Sequence, residues 1–393
     1  MRIVGRSGWL FVIASSLALG ACGDDGGAGA DGGSPPLAEA TARTWVVPDA
    51  AAPLADDVRA AFLDGELYFN AHTEANPAGE IRGQLDAAGT LRFATLDGAQ
   101  ETPTVATEAV GAGVLSVDEE TGEVRGFFVS RGLSDVTMAH VHLAARGTPG
   151  PVIVPMVGGP DTWVVPDDAA PLTREQIDAF LAGDLYFNAH TEANPAGEIR
   201  GQLDRVGTPR LTALDGAQEV PAVETEAFGA GLLAVDEATG QVSGFLVTSE
   251  LEPTVAHVHR AARGVAGGVI LPLAGGGSLW VVADDAEPLA EDLRAAFTNG
   301  ELYYNAHTEA NPAGEIRGQL DVPGVARLTA LDGAQETPPV ATEAFGAGIL
   351  TVEEGTGRAR GFLLTDRLVA PTAAHVHRAA RGTAGGIVVP LAP

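Results

Sequence analysis

Apolar and polar side chains alternate along much of the chain in short runs separated by Gly and Pro. In one run, Leu67, Phe69 and Ala71 occupy every second position, and more polar residues lie between them. Alternation with period two is typical of a β-strand that turns one face toward a core. The segment NPAG at 76–79 then has the Pro and Gly of a tight turn. The pattern predicts antiparallel β-structure.

The same pattern predicts further strands and one short helix per repeat. Thr173 and Gln176 form a capping-box sequence, and Gly183 stands where a helix would end. The corresponding helices are expected within 53–63 and 288–298. Further strands are expected at Gly113–Val117, Val124–Val129, Ala139–Leu143 and Val152–Met156.

Long motifs recur through the chain at an almost constant spacing. Trp45, Trp163 and Trp280 are separated by 118 and 117 residues. The strings HTEANPAGEIRGQLD, DGAQE and AHVH each occur three times. A fixed period of this kind indicates repeated structural units. The Trp residues begin short strands, and we interpret them as core anchors.

These motifs identify the repeats as similar to the CHRD module, first described in chordin. Whole modules cover 91–204 and 209–321, whereas 41–86 resembles only the back half of a module and 327–393 only the front half. The resemblance implies an all-β fold of tandem immunoglobulin-like antiparallel β-sandwich modules, each with one short helix.

The two half-modules require a partner, because half a sandwich leaves an apolar face and open strand edges in water. We expect 41–86 to complete 327–393, which closes the chain as a pseudo-threefold assembly. Pairing of halves between neighbouring molecules, giving a head-to-tail polymer, is the competing hypothesis. A third interpretation takes 45–160, 163–277 and 280–393 as three whole, permuted units.

The N-terminus predicts export and a lipid anchor. Arg2 and Arg6 precede a short apolar stretch at 9–19, which is typical of a secretory signal in residues 1–21. The segment LGAC that ends at Cys22 resembles the lipobox of bacterial lipoproteins, which implies lipidation of Cys22. Residues 22–40 are rich in Gly, Ala, Asp and Pro and are expected to be a flexible linker. The expected location is the bacterial cell envelope, at an outer membrane.

The composition of the chain argues against several classes of function and of binding site. The chain has 52 acidic and 23 basic side chains, a net charge of −29, so nucleic acid is not an expected partner. The single Cys excludes an intrachain disulfide and any site with several thiolates. No motif for a catalytic triad or a phosphate-binding loop is recognisable, so hydrolysis and phosphoryl transfer have no candidate residues.

The histidines are the candidate metal-binding residues of the chain. His140 and His142 are two positions apart on a predicted strand and therefore share a face. If the HTEANP strand is adjacent, His190 completes a set of three nitrogens that suits zinc or copper, with Glu192 or Glu198 as a further ligand or a supporting partner. The corresponding sets are His257, His259 and His307, and His375, His377 and His72.

Several alternatives stay open at this stage. The histidines are also explained by structural hydrogen bonds between strands, repeated through recent duplication. The arginines of GEIRGQL, Arg82, Arg200 and Arg317, are expected to pair with nearby acids. The expected function is an envelope-anchored protein with a binding or structural role toward a protein or extracellular ligand that the sequence does not name. The alternative is a copper- or zinc-dependent enzyme, redox-active if the metal is copper.

Overall fold

The computed structural model of the protein describes residues 40–86 and 89–393. The predicted signal segment and Cys22 lie outside the described residues, and so does the predicted linker except for Ala40, which begins the first strand. Among the described residues, no helix is both long enough and apolar enough to span a bilayer.

The described residues form 26 strands and three α-helices. The first part contains β1 (Ala40–Val46), α1 (Asp56–Leu63), β2 (Leu67–Thr73) and β3 (Ile81–Gln84). The next contains β4 (Thr90–Asp97), β5 (Val110–Val117), β6 (Val124–Arg131), β7 (Val136–Leu143), β8 (Val152–Pro155), β9 (Val157–Gly158), β10 (Thr162–Val164), α2 (Arg174–Ala182), β11 (Leu185–Thr191) and β12 (Ile199–Gln202).

The rest of the chain repeats this order. It contains β13 (Thr208–Asp215), β14 (Phe228–Val235), β15 (Val242–Ser249), β16 (Val255–Arg260), β17 (Gly268–Pro272), β18 (Ala274–Gly276), β19 (Leu279–Val281), α3 (Glu291–Thr298), β20 (Leu302–His307) and β21 (Ile316–Gln319). The last strands are β22 (Val325–Asp332), β23 (Phe345–Val352), β24 (Ala359–Val369), β25 (Pro371–Arg378) and β26 (Gly386–Pro390).

Hydrogen bonding groups the strands into three sheets of the same order. The first unit (90–204) has the order β8-β7-β11-β12-β4-β5-β6-β10-β9, and the second unit (208–321) has the order β17-β16-β20-β21-β13-β14-β15-β19-β18. The closing unit (40–86 with 325–393) has the order β1-β24-β23-β22-β3-β2-β25-β26. All paired strands run antiparallel.

The closing unit joins the two ends of one chain. Strand β2 pairs with β25 from Leu67 opposite Arg378 to Thr73 opposite Pro371, and β1 pairs with β24. A further bridge joins Val46 to Ala392. Eight strands from the two ends therefore form a sheet with the strand order of the nine-stranded sheets, without an equivalent, among the described residues, of the short edge strands β9 and β18.

Each sheet curls around its own apolar core. Strands β12 and β4 are joined by a single residue pair, Arg200 with Asp97, and the two halves of the sheet face each other across that joint. Phe128 of one half packs on Phe187 of the other at a ring distance of 5.4 Å. The repeated Trp residues are buried in these cores, as predicted.

A fourth, central core joins the three units. It is formed by the outer faces of β4–β6, β13–β15 and β22–β24, with the short strands beside them. At its middle the rings of Phe127, Phe245 and Phe362 meet edge to face, with centroids 5.9–6.4 Å apart. These strands are consequently buried on both faces. The side of each sheet opposite its own core thus becomes an interface between units.

A ring of ion pairs surrounds the central core. Arg146 of the first unit binds Asp204 of the same unit at 2.9 Å and Asp284 of the second unit at 2.7 Å. The equivalent contacts join Arg263 to Asp321 and Asp49, and Arg381 to Asp86 and Asp167. Each unit therefore contacts the next in a cycle. Because these pairs are partly exposed, they orient the units more than they stabilise them.

The structure confirms part of the fold that the sequence predicts. The all-β antiparallel class is confirmed, and so is the helix, whose capping box at Thr173 and left-handed Gly183 (φ 87°) are both present. The immunoglobulin-like sandwich is not established, because the strands of each unit are hydrogen-bonded into one continuous, curled sheet.

Replacement of Phe127 by Ala tests the central core. We expect the free energy of unfolding to fall by about 3–5 kcal/mol, because the cavity is lined by two units that cannot both collapse into it. Urea denaturation measures the change. Val206→Ala at an exposed position is the control and should change stability by less than about 0.5 kcal/mol. Equal effects of the two substitutions would contradict this account of the core.

Removal of residues 1–88 tests the closing unit. The remaining chain would expose the edge of β24 and the apolar side of β22–β24, so we expect its mass to increase with protein concentration in sedimentation experiments. The chain from residue 37 should keep the mass of one molecule over the same range. A truncated protein as stable and as monodisperse as its parent would exclude the closure.

Candidate metal centre

The three histidines of each repeat come together on one face of the sheet. In the first unit β7 and β11 are neighbours, and His140 lies opposite Asn188 while His190 lies opposite Met138. His140, His142 and His190 each offer a nitrogen, and these atoms all lie within 4.8 Å of one another. The equivalent groups are His257, His259 and His307 in the second unit and His375, His377 and His72 in the closing unit.

The geometry is the same in the three units. Nδ1 of His140 lies 3.2 Å from Nε2 of His190, and the matching distances are 3.2 Å and 3.1 Å in the second and closing units. The first histidine of each AHVH is half-buried and the other two members are buried. Solvent therefore reaches each cluster mainly at the first histidine of AHVH.

Backbone carbonyls fix the proton on two of the three rings. Nδ1 of His142 lies 2.9 Å from the carbonyl oxygen of Gly150, and Nδ1 of His190 lies 3.2 Å from that of Pro195. A carbonyl oxygen only accepts, so each Nδ1 carries the proton and each Nε2 has a lone pair that can accept a hydrogen bond or bind a metal; Nε2 of His190 faces Nδ1 of His140. Metal-binding histidines are oriented by the same kind of second hydrogen bond.

One of these lone pairs has no partner. Nε2 of His142 is buried and makes no hydrogen bond within the described part of the chain, and the same holds for His259 and His377. Buried polar atoms are almost always satisfied, so a threefold repeated exception needs an explanation.

The local environment keeps the imidazoles neutral. Burial, together with the neighbouring His140 and His142, lowers the pKa of His190 to about 4, and the corresponding histidines 72 and 307 are shifted equally far. Burial also lowers the pKa of His140 and of His142. Neutral imidazole is the form that binds a metal ion.

A tyrosine and an arginine hold the second histidine of AHVH in place. The ring of Tyr186 stacks on His142 with the ring centroids 4.9 Å apart, and the guanidinium carbon of Arg200 lies over the Tyr186 ring, 3.6 Å from its centroid. The hydroxyl of Tyr186 accepts the N–H of Gly150 at 3.0 Å. The same stack is formed by Arg317, Tyr303 and His259 and by Arg82, Tyr68 and His377.

The expected pairing of these arginines with acids is wrong. Arg200 is buried and donates to the carbonyls of Thr148 and Ala145 and to Oε1 of Gln202. Among the described residues no carboxylate lies within 4 Å of Arg82, Arg200 or Arg317. The loop after the AHVH strand crosses this face, and its carbonyl oxygens accept hydrogen bonds from the guanidinium. These carbonyls take the place of the expected acid.

The glutamates proposed as further ligands are placed elsewhere. Glu198 accepts hydrogen bonds from Thr191 at 2.7 Å, Thr107 at 2.8 Å and Asn194 at 3.1 Å. Burial alone would raise the pKa of Glu198, but these hydrogen bonds outweigh it and the pKa is lowered. Glu192 is exposed. Neither belongs to the group of mutually close donor atoms.

The DGAQE motif positions Asn188, a neighbour of the histidine cluster, through a hydrogen bond. The Asp97 carboxylate caps a one-turn helix at Gly98–Gln100, and Glu101 accepts from Nδ2 of Asn188 at 2.6 Å. Asn188 lies opposite His140 on the adjacent strand. Sequence analysis did not assign this role to Asn188 or Tyr186. The signal was available, because both alternate with His190 along the repeated strand and therefore share its face.

One nitrogen pair in each cluster has the separation that a tetrahedral ion requires. Two nitrogens about 2.0–2.1 Å from a zinc ion and 3.2 Å apart subtend roughly 100° at the metal, which is close to the tetrahedral angle. With three imidazoles as ligands, a bound ion would have one ligand position left for a further group.

The sequence profile of the CHRD domain matches residues 23–85, 92–203, 211–320 and 328–393. The chain belongs to the CHRD domain family. The matches divide the CHRD repeats in the same way as the sheets, with two whole modules and two partial ones. The first match extends into the segment expected to be a linker. No curated protein and no solved structure matches the chain.

Proposed function

We propose that this CHRD-repeat protein is a metal-binding protein of the bacterial envelope, with one transition-metal ion held by the histidines of each unit. The observation that carries the proposal is the buried, unpartnered Nε2 of His142, repeated at His259 and His377. A purely structural hydrogen-bonding role leaves this atom unexplained. A metal ion satisfies it together with Nε2 of His190 and Nδ1 of His140.

The donor set favours zinc or copper over hard cations. Imidazole nitrogen suits zinc and copper, whereas magnesium and calcium prefer oxygen ligands. Glu198 and Glu101 accept hydrogen bonds from Thr191 and Asn188, and no carboxylate belongs to the groups of close donor atoms in the described part of the chain. The site would therefore hold the ion through neutral ligands and leave its charge uncompensated, which favours an anion or water at the fourth position.

The half-buried side of each cluster supports a second candidate function. His140, His257 and His375 are the partly accessible members, so a small molecule can approach the fourth position. With copper bound, each unit would then act as a redox enzyme. Turnover that requires the bound copper distinguishes this activity from binding alone.

Metal content tests the binding proposal. We expect the chain from residue 37, loaded with zinc or copper and then desalted, to retain three ions per molecule by elemental analysis. Replacing His140 and His142 by Ala should reduce the content to two, because the chelating pair of one unit is lost.

The repeat supplies its own controls for this measurement. The same double substitution made alone at His257 and His259, or alone at His375 and His377, should also reduce the content from three ions to two. Circular dichroism checks that every variant keeps its β-structure. A folded parent that retains no zinc or copper after loading would exclude the proposal.

The envelope location is part of the same proposal and rests on the N-terminal sequence. The apolar stretch at 9–19 and the LGAC segment support export and lipidation of Cys22. Acyl chains contribute about 0.8 kcal/mol per buried methylene, so several chains hold a protein on a membrane without a spanning helix.

Replacement of Cys22 by Ser tests the anchor. In bacterial cells the parent should partition into the detergent phase of a Triton X-114 extract, and Cys22→Ser should move to the aqueous phase because it has no acyl chains. A parent found in the aqueous phase would exclude lipid anchoring. Metal content is unaffected by this result, so the two parts of the proposal are tested separately.

We also propose the immunoglobulin-like sandwich as the description of each unit. Its support is the single residue pair that joins the two halves of each sheet, Arg200 with Asp97 in the first unit. Without that pair the halves would be two separate sheets packed face to face.

A further inference from the structure

The three histidine clusters differ at one position of the strand face that carries them. Met138 precedes His140 by two residues, and Val255 and Ala373 stand at the same position in the other units. Each lies opposite the third histidine of its cluster, since Met138 pairs with His190, Val255 with His307 and Ala373 with His72. The first unit alone has a sulfur there.

The thioether of Met138 is placed beside the cluster by strand geometry. Residues 138, 140 and 142 alternate along β7 and so share one face, and residues directly opposite on antiparallel strands have Cβ atoms about 4.5–5.5 Å apart. The side chain of Met138 is flexible and long enough to cover that distance. Strand pairing therefore places Met138 next to His190 and on the same strand face as His140.

The exposure of Met138 is the second observation. Its side chain is 47% exposed, whereas Met156, the other methionine in the described residues, is buried in the core of the first unit. Met138 thus contributes little to packing where it lies. No core packing holds its sulfur in place, and the side chain stands on the strand that carries the half-buried His140.

We propose that the first unit is a Cu(I) site in which the Met138 sulfur is the fourth ligand, and that the other two units bind Cu(I) more weakly. The proposal rests on the metal-binding function above and adds metal preference and inequality among the sites. Thioether sulfur is a soft ligand that selects Cu(I), whereas zinc is satisfied by imidazole and water. Val255 and Ala373 offer no donor atom.

The test is a competition for Cu(I) between the chain from residue 37 and a chromophoric Cu(I) chelator under anaerobic, reducing conditions. We expect one equivalent of copper to bind at least about tenfold more tightly than the other two. X-ray absorption of the protein loaded with one equivalent should show a sulfur neighbour of copper.

Two substitutions of similar volume decide the role of the sulfur. Met138→Leu keeps the shape of the side chain and should abolish the tight class, while zinc content stays at three ions. Val255→Met should create a second tight equivalent in the second unit. This gain identifies the thioether as the cause, because it adds a sulfur to a cluster with the same three nitrogens.

The outcomes separate this inference from the proposed function. Three equivalents of Cu(I) with equal affinity, or a tight equivalent that survives Met138→Leu, would overturn the role of Met138 and leave the histidine sites intact. A folded protein that binds neither zinc nor copper would overturn both. Circular dichroism of each variant shows whether a loss of binding is a loss of fold.

Discussion

Burial of the second face of each sheet in the central core is the constraint on which the structure depends. The edge-to-face contact of Phe127, Phe245 and Phe362 marks the point where three sheets meet. A sheet that is apolar on both faces is stable only if both faces are covered. The unit's own curled half covers one face, and the other two units cover the second. Three equivalent faces are therefore needed in one molecule.

This requirement explains how the chain is divided. Two continuous units supply two faces, and the third comes from strands at opposite ends of the sequence. The β1–β24 and β2–β25 pairings close the assembly, so the two terminal pieces are joined to each other by contacts between residues far apart in the chain. The Arg–Asp pairs at the rim, such as Arg263 with Asp49, follow the same cycle and fix which face meets which.

The same arrangement leaves the histidine clusters away from the central core. They lie on the outer half of each sheet, on strands that contribute nothing to the shared cluster of apolar residues. Backbone carbonyl oxygens and the Arg–Tyr–His stack hold the histidine rings in one orientation and leave Nε2 of His142 without a partner in the described part of the chain. A rigid outer site on each of three units can thus differ in chemistry, as Met138 does, without disturbing the fold.

The sequence by itself determined the local structure and the repeat. Period-two alternation fixed the strands, Thr173 and Gly183 fixed the limits of a helix, and the recurring motifs showed which histidines belong to one unit, because these features depend on neighbours along the chain. Only the tertiary structure decided the rest. The partners of Arg200 are carbonyls of a loop that crosses the sheet, and the second buried face of β4–β6 needs strands from two other units. Alternation shows that a residue faces inward or outward, but it does not show what covers the outward face.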